Sequence, residues 1–202
     1  MAVLGGVLLV LLATAMGGPA GASTLPRDLR VLRTQLLSTA DLPSGWSTTT
    51  PGTSASQAIS ACRGRPFGPA HRIAQSEAAF QDPSGVSQLT ETIGLYRSPG
   101  QVFRRSVRSM RACHAVALAE RRDTMVIHLA RLHYRGRHTT AFALSFRVKG
   151  QAVGIDLVIE RIGNEIAQLS VADVPAPSMR QVRSLVQRAV AKIDKTERAR
   201  AR

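Results

Sequence analysis

From Thr124 to Asp173 apolar and polar residues alternate with period two in four consecutive runs, TMVIHLARLHY, HTTAFALSFRV, QAVGIDLVIER and EIAQLSVAD. Turn signals at Arg135-Gly136, Lys149-Gly150 and Gly163-Asn164 separate them, so they predict an antiparallel meander. Taking the strongest alternation in each run, Met125, Ile127 and Leu129, then Phe142, Leu144, Phe146 and Val148, then Val153, Ile155, Leu157 and Ile159, then Leu169 and Val171 are expected to share the core face. The other face mixes small and polar groups: His128, Ala141, Ala143, Ser145, Arg147, Gly154, Asp156, Glu160 and Gln168. With helices on the first face only, this second face would be a shallow concave polar surface. Its candidate ligand-binding residues are His128, Ser145, Arg147, Asp156 and Glu160.

Upstream, SEAAFQD, the turn DPSG and QLTETIGLYR predict a hairpin with Leu89, Ile93 and Leu95 on one face and Thr90, Thr92 and Tyr96 on the other. Helical spacing appears in three places. Leu25, Leu29, Leu32 and Leu36 form a stripe that ends before Pro43 and Gly45, after which Trp46 is expected as an anchor on the core. In SPGQVFRRSVRSMRAC, Ser98 is the expected N-cap, Pro99 fits the first helical position and Gln101 would complete a capping box. Phe103, Val107 and Met110 are the buried stripe of this helix, and Arg104, Arg108 and Arg111 occupy the neighbouring face. The last helix, PAPSMRQVRSLVQRAVAKIDK, carries Met179, Val182, Val186, Val190 and Ile193 on one side and Ser178 as a cap.

The fold class that follows is α+β: an antiparallel sheet with helices packed on one face, closed by one disulfide. Residues 1–22 read as a signal sequence, 23–194 as one domain and 195–202 as a basic, mobile tail. The leader is almost wholly apolar and ends in Ala20-Gly21-Ala22, which suits cleavage before Ser23; retention as a signal anchor is the other reading. No cysteine follows the apolar run, so no lipobox is expected. Export makes the two cysteines, Cys62 and Cys113, a disulfide by expectation. The bridge would tie the irregular loop RGRPFGPAHR to the end of the SPGQ helix.

With 27 Lys and Arg against 13 Asp and Glu, the formal charge is +14, which implies attraction to polyanions. For an exported chain these are anionic lipid headgroups or acidic envelope polymers, not nucleic acid; a monomer binding a small or polymeric envelope ligand is expected. Catalytic patterns are missing: there is no G-x-S-x-G, H-E-x-x-H, P-loop or G-x-G-x-x-G. A bridged Cys113 leaves His114 no thiol to activate. His128 and His133 would point to opposite faces of one strand, with His138 past a turn, so neither metal nor other cofactor is expected. Asp156 and Glu160, four apart on a strand, would stand about 13 Å apart, too far for acid/base work on one bond.

The chain also resembles the extracellular sensor domain of actinobacterial PknH-type Ser/Thr kinases, found on many stand-alone secreted or lipid-anchored proteins as well. The matching stretches are LLSTADLPSGW, Cys62 after a polar loop, LTETIGLYRSPGQVF leading to Cys113, and VGIDLVIERIGNEIAQLSV before a last helix. The resemblance implies a central antiparallel sheet with packed helices, a cleft for a small ligand and no enzymatic activity. A secreted, non-catalytic sensor-like domain of the cell envelope is therefore expected, the alternative being an envelope-associated adaptor that binds anionic lipid or a protein partner through its basic surface.

Overall fold

The computed structural model describes residues 26–50, 71–113, 115–120, 123–132, 138–148, 151–174 and 177–200. The leader, Leu25, the loop holding Cys62, His114 and His133 lie outside the described residues. In chain order the elements are α1 (Pro26–Gln35), a 3-10 turn (Thr39–Asp41), β1 (Ser47–Thr49), β2 (Arg72–Gln81), β3 (Gln88–Tyr96), α2 (Pro99–Arg111), β4 (Ala115–Glu120), β5 (Asp123–Leu132), β6 (Thr139–Val148), β7 (Gln151–Ile162), β8 (Glu165–Asp173) and α3 (Met179–Arg200). All eight strands join one antiparallel sheet in the order β1-β2-β3-β8-β7-β6-β5-β4. The expected four-strand meander is β5 to β8. β4, whose AVALAE is too small-sided to show a clear alternation, adds an edge strand.

The sheet is covered on both sides. On one side, here face A, α1 and α3 pack over Phe80, Leu89, Ile93, Ala141, Val158, Ala167 and Leu169. On the other, face B, α2 buries Tyr96, Phe142, Leu144, Leu157, Ile159 and Ile166 under Val102 and Met110. The expectation of helices on one face only is thereby corrected. Its physical basis was visible in β7, where Leu157, Val158 and Ile159 are each no more than 2% exposed. Three successive apolar side chains on a strand must point to both faces, so neither can be left to water. Each such burial contributes about 2 kcal/mol from removed apolar area.

Register corrects a second expectation. The two-residue turn Gly163-Asn164, with Gly163 at φ 51°, pairs Ile162 with Glu165 and therefore Val158 with Leu169 and Ile159 with Gln168. Leu169 and Val171 lie on face A with Val158, not with Leu157 and Ile159. Gln168 lies on face B, not beside Asp156. Alternation within each strand was legible, but parity between strands is fixed by turn length, and one residue of slip exchanges the faces.

The chain leaves β3 in the middle of the sheet and must reach edge strand β4. α2 makes that crossing over face B, touching β3, β7 and β8. Ser98 sits at its N-cap and Pro99 in its first turn, but the Ser98 side chain makes no capping bond; the main-chain carbonyl of Ser98 accepts from the N–H groups of Gln101 and Val102 instead. The expected capping box is absent there. Ser178 does cap α3, its Oγ accepting the Gln181 N–H at 3.3 Å. α3 continues to Arg200, so Lys195 to Arg200, expected as a mobile tail, are helical. Trp46 is partly buried against the α1 cluster.

Candidate functional site

The five candidate residues all lie on face A, as their shared parity requires, but they form two groups. His128 of β5 stands directly opposite Ser145 of β6, which in turn faces Gly154 of β7. Arg147 is two residues along β6, and Asp156 is one same-face position from Gly154, opposite Ala143. These four share the β5–β7 end of the face. Glu160 lies at the other end of β7, opposite Thr139, with Val158 between it and Asp156.

Their environments differ. His128, Ser145 and Arg147 are exposed, whereas Asp156 is buried and its carboxyl is pushed up to about 6 by that burial. Glu160 is half-buried and raised by burial, opposed by the hydrogen bond from Thr139 and reinforced by the nearby Asp194 carboxylate of α3. Asp156 is therefore near its protonation point close to neutral pH, at the border between the covered and uncovered parts of face A. Small floor residues, Ala143 and Gly154, separate it from the exposed trio.

A serine, a histidine and an aspartate side by side invite a triad reading, and the register rules it out. In a triad the carboxylate holds the imidazole. Here Asp156 and His128 are on strands separated by β6, about 10 Å apart at the usual strand spacing. The order across the sheet is His, Ser, Asp, so the histidine has no orienting carboxylate from this trio. What the strip offers is recognition: two cationic or hydrogen-bonding side chains, a hydroxyl and a carboxyl that can donate when protonated. Among the described residues no cluster of His, Cys, Asp and Glu fits a metal ion.

A second polar constellation, under α1, was not foreseen. Glu91 of β3 is completely buried on face A, and its Oε2 accepts the Leu37 N–H at 2.6 Å. Its Oε1 has no partner. Burial pushes this carboxyl up to about 7, against the Leu37 bond and the attraction of Lys192 and with the repulsion of Asp41. Next to it, buried Gln35 donates through Nε2 to both carboxylate oxygens of buried Glu165, at 3.1 and 2.9 Å. At the rim, Asp41 accepts from Lys192 Nζ at 2.6 Å and from the Ser38 hydroxyl and N–H at 2.6 and 2.8 Å. Burial opposes its ionisation, yet these donors hold its carboxyl down to about 2. The sequence carried a signal for Glu91: it stands in the apolar parity of Leu89, Ile93 and Leu95, where a charge demands a partner.

No protein-family model matches the chain, and no curated protein matches it by sequence. Among solved structures it is similar to the crystal structure of the extracellular domain of PknH from Mycobacterium tuberculosis, with a TM-score of 0.60 over 84% of this chain and 96% of that one, at 10% identity. The chain shares that fold. At such identity the likeness speaks for architecture alone. CalU16 from Micromonospora echinospora also matches, over 62% of this chain and 95% of that one at 10% identity, but its TM-score of 0.30 carries no argument.

Proposed function

We propose that the chain is an exported, non-catalytic, sensor-like domain of the cell envelope that binds a ligand bearing an anionic group at the β5–β7 end of face A. The observation that carries this reading is the register that gathers exposed His128, Ser145 and Arg147 on one end of face A, with buried Asp156 one same-face position beyond Gly154 on β7. A polar ligand lying along this strip can meet the Asp156 carboxyl at one end, as acceptor or, when protonated, as donor, while Arg147 and His128 meet its charge at the other. The fold shared with an extracellular domain supports an envelope setting, as does the apolar leader sequence. A Cys62–Cys113 bridge belongs to the same reading, since it would fix the loop after Cys62 to the end of α2.

Native mass spectrometry of the protein purified from its host's envelope tests the proposal. The wild type should carry a non-covalent adduct, and Arg147→Ala together with His128→Ala should reduce it about tenfold or more, the loss of roughly one charge-assisted hydrogen bond. An adduct retained equally by the double variant would place the ligand elsewhere.

A further inference from the structure

The outward face of α3 carries a row of exposed basic residues interspersed with small and uncharged ones, Ser184, Gln187 and Ala191. At about 100° per residue, Arg180 and Arg198 project in the same direction, Ala191 about 20° from them and Lys195 about 60° away. All four are exposed. Arg183 and Arg188 flank this line and are exposed too. Among the described side chains from Arg180 to Ala199, no apolar one larger than alanine is exposed. Among the described residues, the Lys192–Asp41 pair at the margin is the salt bridge this helix makes, while Asp194 lines a groove together with Lys195 and Arg198.

Two open grooves border the line. One, about 750 Å³, runs between α3 and the end of α1 with the 3-10 turn, lined by Thr34, Asp41, Arg188, Lys192 and Lys195 over Ala191. The other, about 690 Å³, is lined by Asp194, Lys195 and Arg198 over Ala199. Lys195 belongs to both. Each groove is large enough for a polar headgroup, and each presents lysine or arginine at its edge.

We propose that this face of α3 docks the domain on an anionic lipid surface, with Arg180, Lys195 and Arg198 at the centre of the contact. The choice of a bilayer rests on two observations. The row of cations from Arg180 to Arg198 follows one straight helix and spans about 27 Å, which matches a flat surface. With no large apolar side chain exposed among the described residues from Arg180 to Ala199, the contact is adsorption at the headgroups without insertion. The other basic helix, α2, exposes Arg104, Arg105 and Arg108 but lies on the opposite side of the sheet, so one plane cannot touch both. The docking is independent of whatever the β5–β7 strip binds.

The test uses protein purified from its exporting host, sedimented with vesicles of phosphatidylcholine alone or of phosphatidylcholine with phosphatidylglycerol, at low and high salt. The expected result is binding to the anionic vesicles that weakens as salt rises. R180E/K195E/R198E should lower it on the order of a hundredfold, since each basic residue near the surface contributes roughly a factor of five to ten. R104E/R105E/R108E, which changes net charge by the same amount on the other layer, should lower it by no more than about threefold through the general field. R180K/K195R/R198K keeps the charges and should bind as the wild type does. Equal loss in the two glutamate triples, loss in neither, loss in the charge-preserving triple, or capture of soluble polyphosphate with no vesicle binding would each overturn the proposal.

Discussion

Glu91 and Leu37 are 54 residues apart in sequence and joined by a 2.6 Å hydrogen bond from the Leu37 N–H to Glu91 Oε2. The bond ties the chain just after α1 to the middle of the sheet, and it is made by a carboxyl whose second oxygen has no partner. Burial raises that carboxyl from an ordinary 4.5 to about 7. In this range the folded protein holds a proton that the unfolded chain has released, so stability is lost as pH rises. The group's stabilising protonated form is complete below pH 4.5 and gone above about 7. The size of the effect is about 3 kcal/mol at most. Asp156, raised from 3.8 to about 6, adds a loss of the same sign over a lower window. Urea midpoints at pH 5 and pH 8 should show the wild type weaker at pH 8, with Glu91→Gln removing much of the difference. An unchanged difference in Glu91→Gln would mean the carboxyl is not buried as described.

The Gln35 amide is the second tie between α1 and the sheet. Its Nε2 donates to both oxygens of Glu165, with both residues no more than 1% exposed. Removing a donor from a buried carboxylate costs more than the bond is worth, because the acceptor stays desolvated. Gln35→Ala should cost about 2–3 kcal/mol, read from denaturant midpoints, whereas Thr34→Ala on the exposed side of the same helix should cost less than about 0.5 kcal/mol.

Much of this architecture was legible in the chain, for reasons specific to each element. The period-two runs announced β5 to β8, and the Leu29, Leu32 and Leu36 spacing announced α1, because burial of one side leaves its period in the sequence. What could not be read was which faces align. The pairing of Val158 with Leu169 depends on a two-residue turn, and Leu169, Val171 and Gln168 were assigned to the wrong side for want of that one parameter. The candidate strip was half legible: His128, Ser145, Arg147 and Asp156 do share one end of a face, while Glu160 is held apart by Val158 and lies beside Asp194. Glu91 and Gln35 were missed because their partners, a backbone N–H at Leu37 and a carboxylate at Glu165, are distant in sequence. The capping box expected at Ser98 failed because main-chain bonds already satisfy that helix start.

Gly94 has no side chain because Tyr96 occupies its space. A Cβ at Gly94 would stand 2.6 Å from Tyr96 Cε2, two residues along the same face of β3. Tyr96 is buried with Phe142, Ile159 and Ile166 under α2. Gly94→Ala must displace the ring, and thermal unfolding should report a loss of about 1–3 kcal/mol. A neutral result would show that the ring can move within its cluster without cost.

The proposed Cys62–Cys113 bridge closes a loop of about 50 residues and, on chain entropy, should stabilise the fold by about 4 kcal/mol. Reductant should lower the urea midpoint of the wild type and leave that of Cys113→Ser unchanged. Peptide mass mapping without reduction should recover the two cysteines in one linked fragment; alkylation of either one in the native protein would exclude the bond.

Hydrogen exchange mapped with and without an extract of the host's envelope decides whether the β5–β7 end of face A receives the ligand. Added protection should be confined to the segments around His128, Ser145 to Arg147 and Gly154 to Asp156, and should disappear in Arg147→Ala. Protection confined to other elements, or no change at all, would contradict binding there.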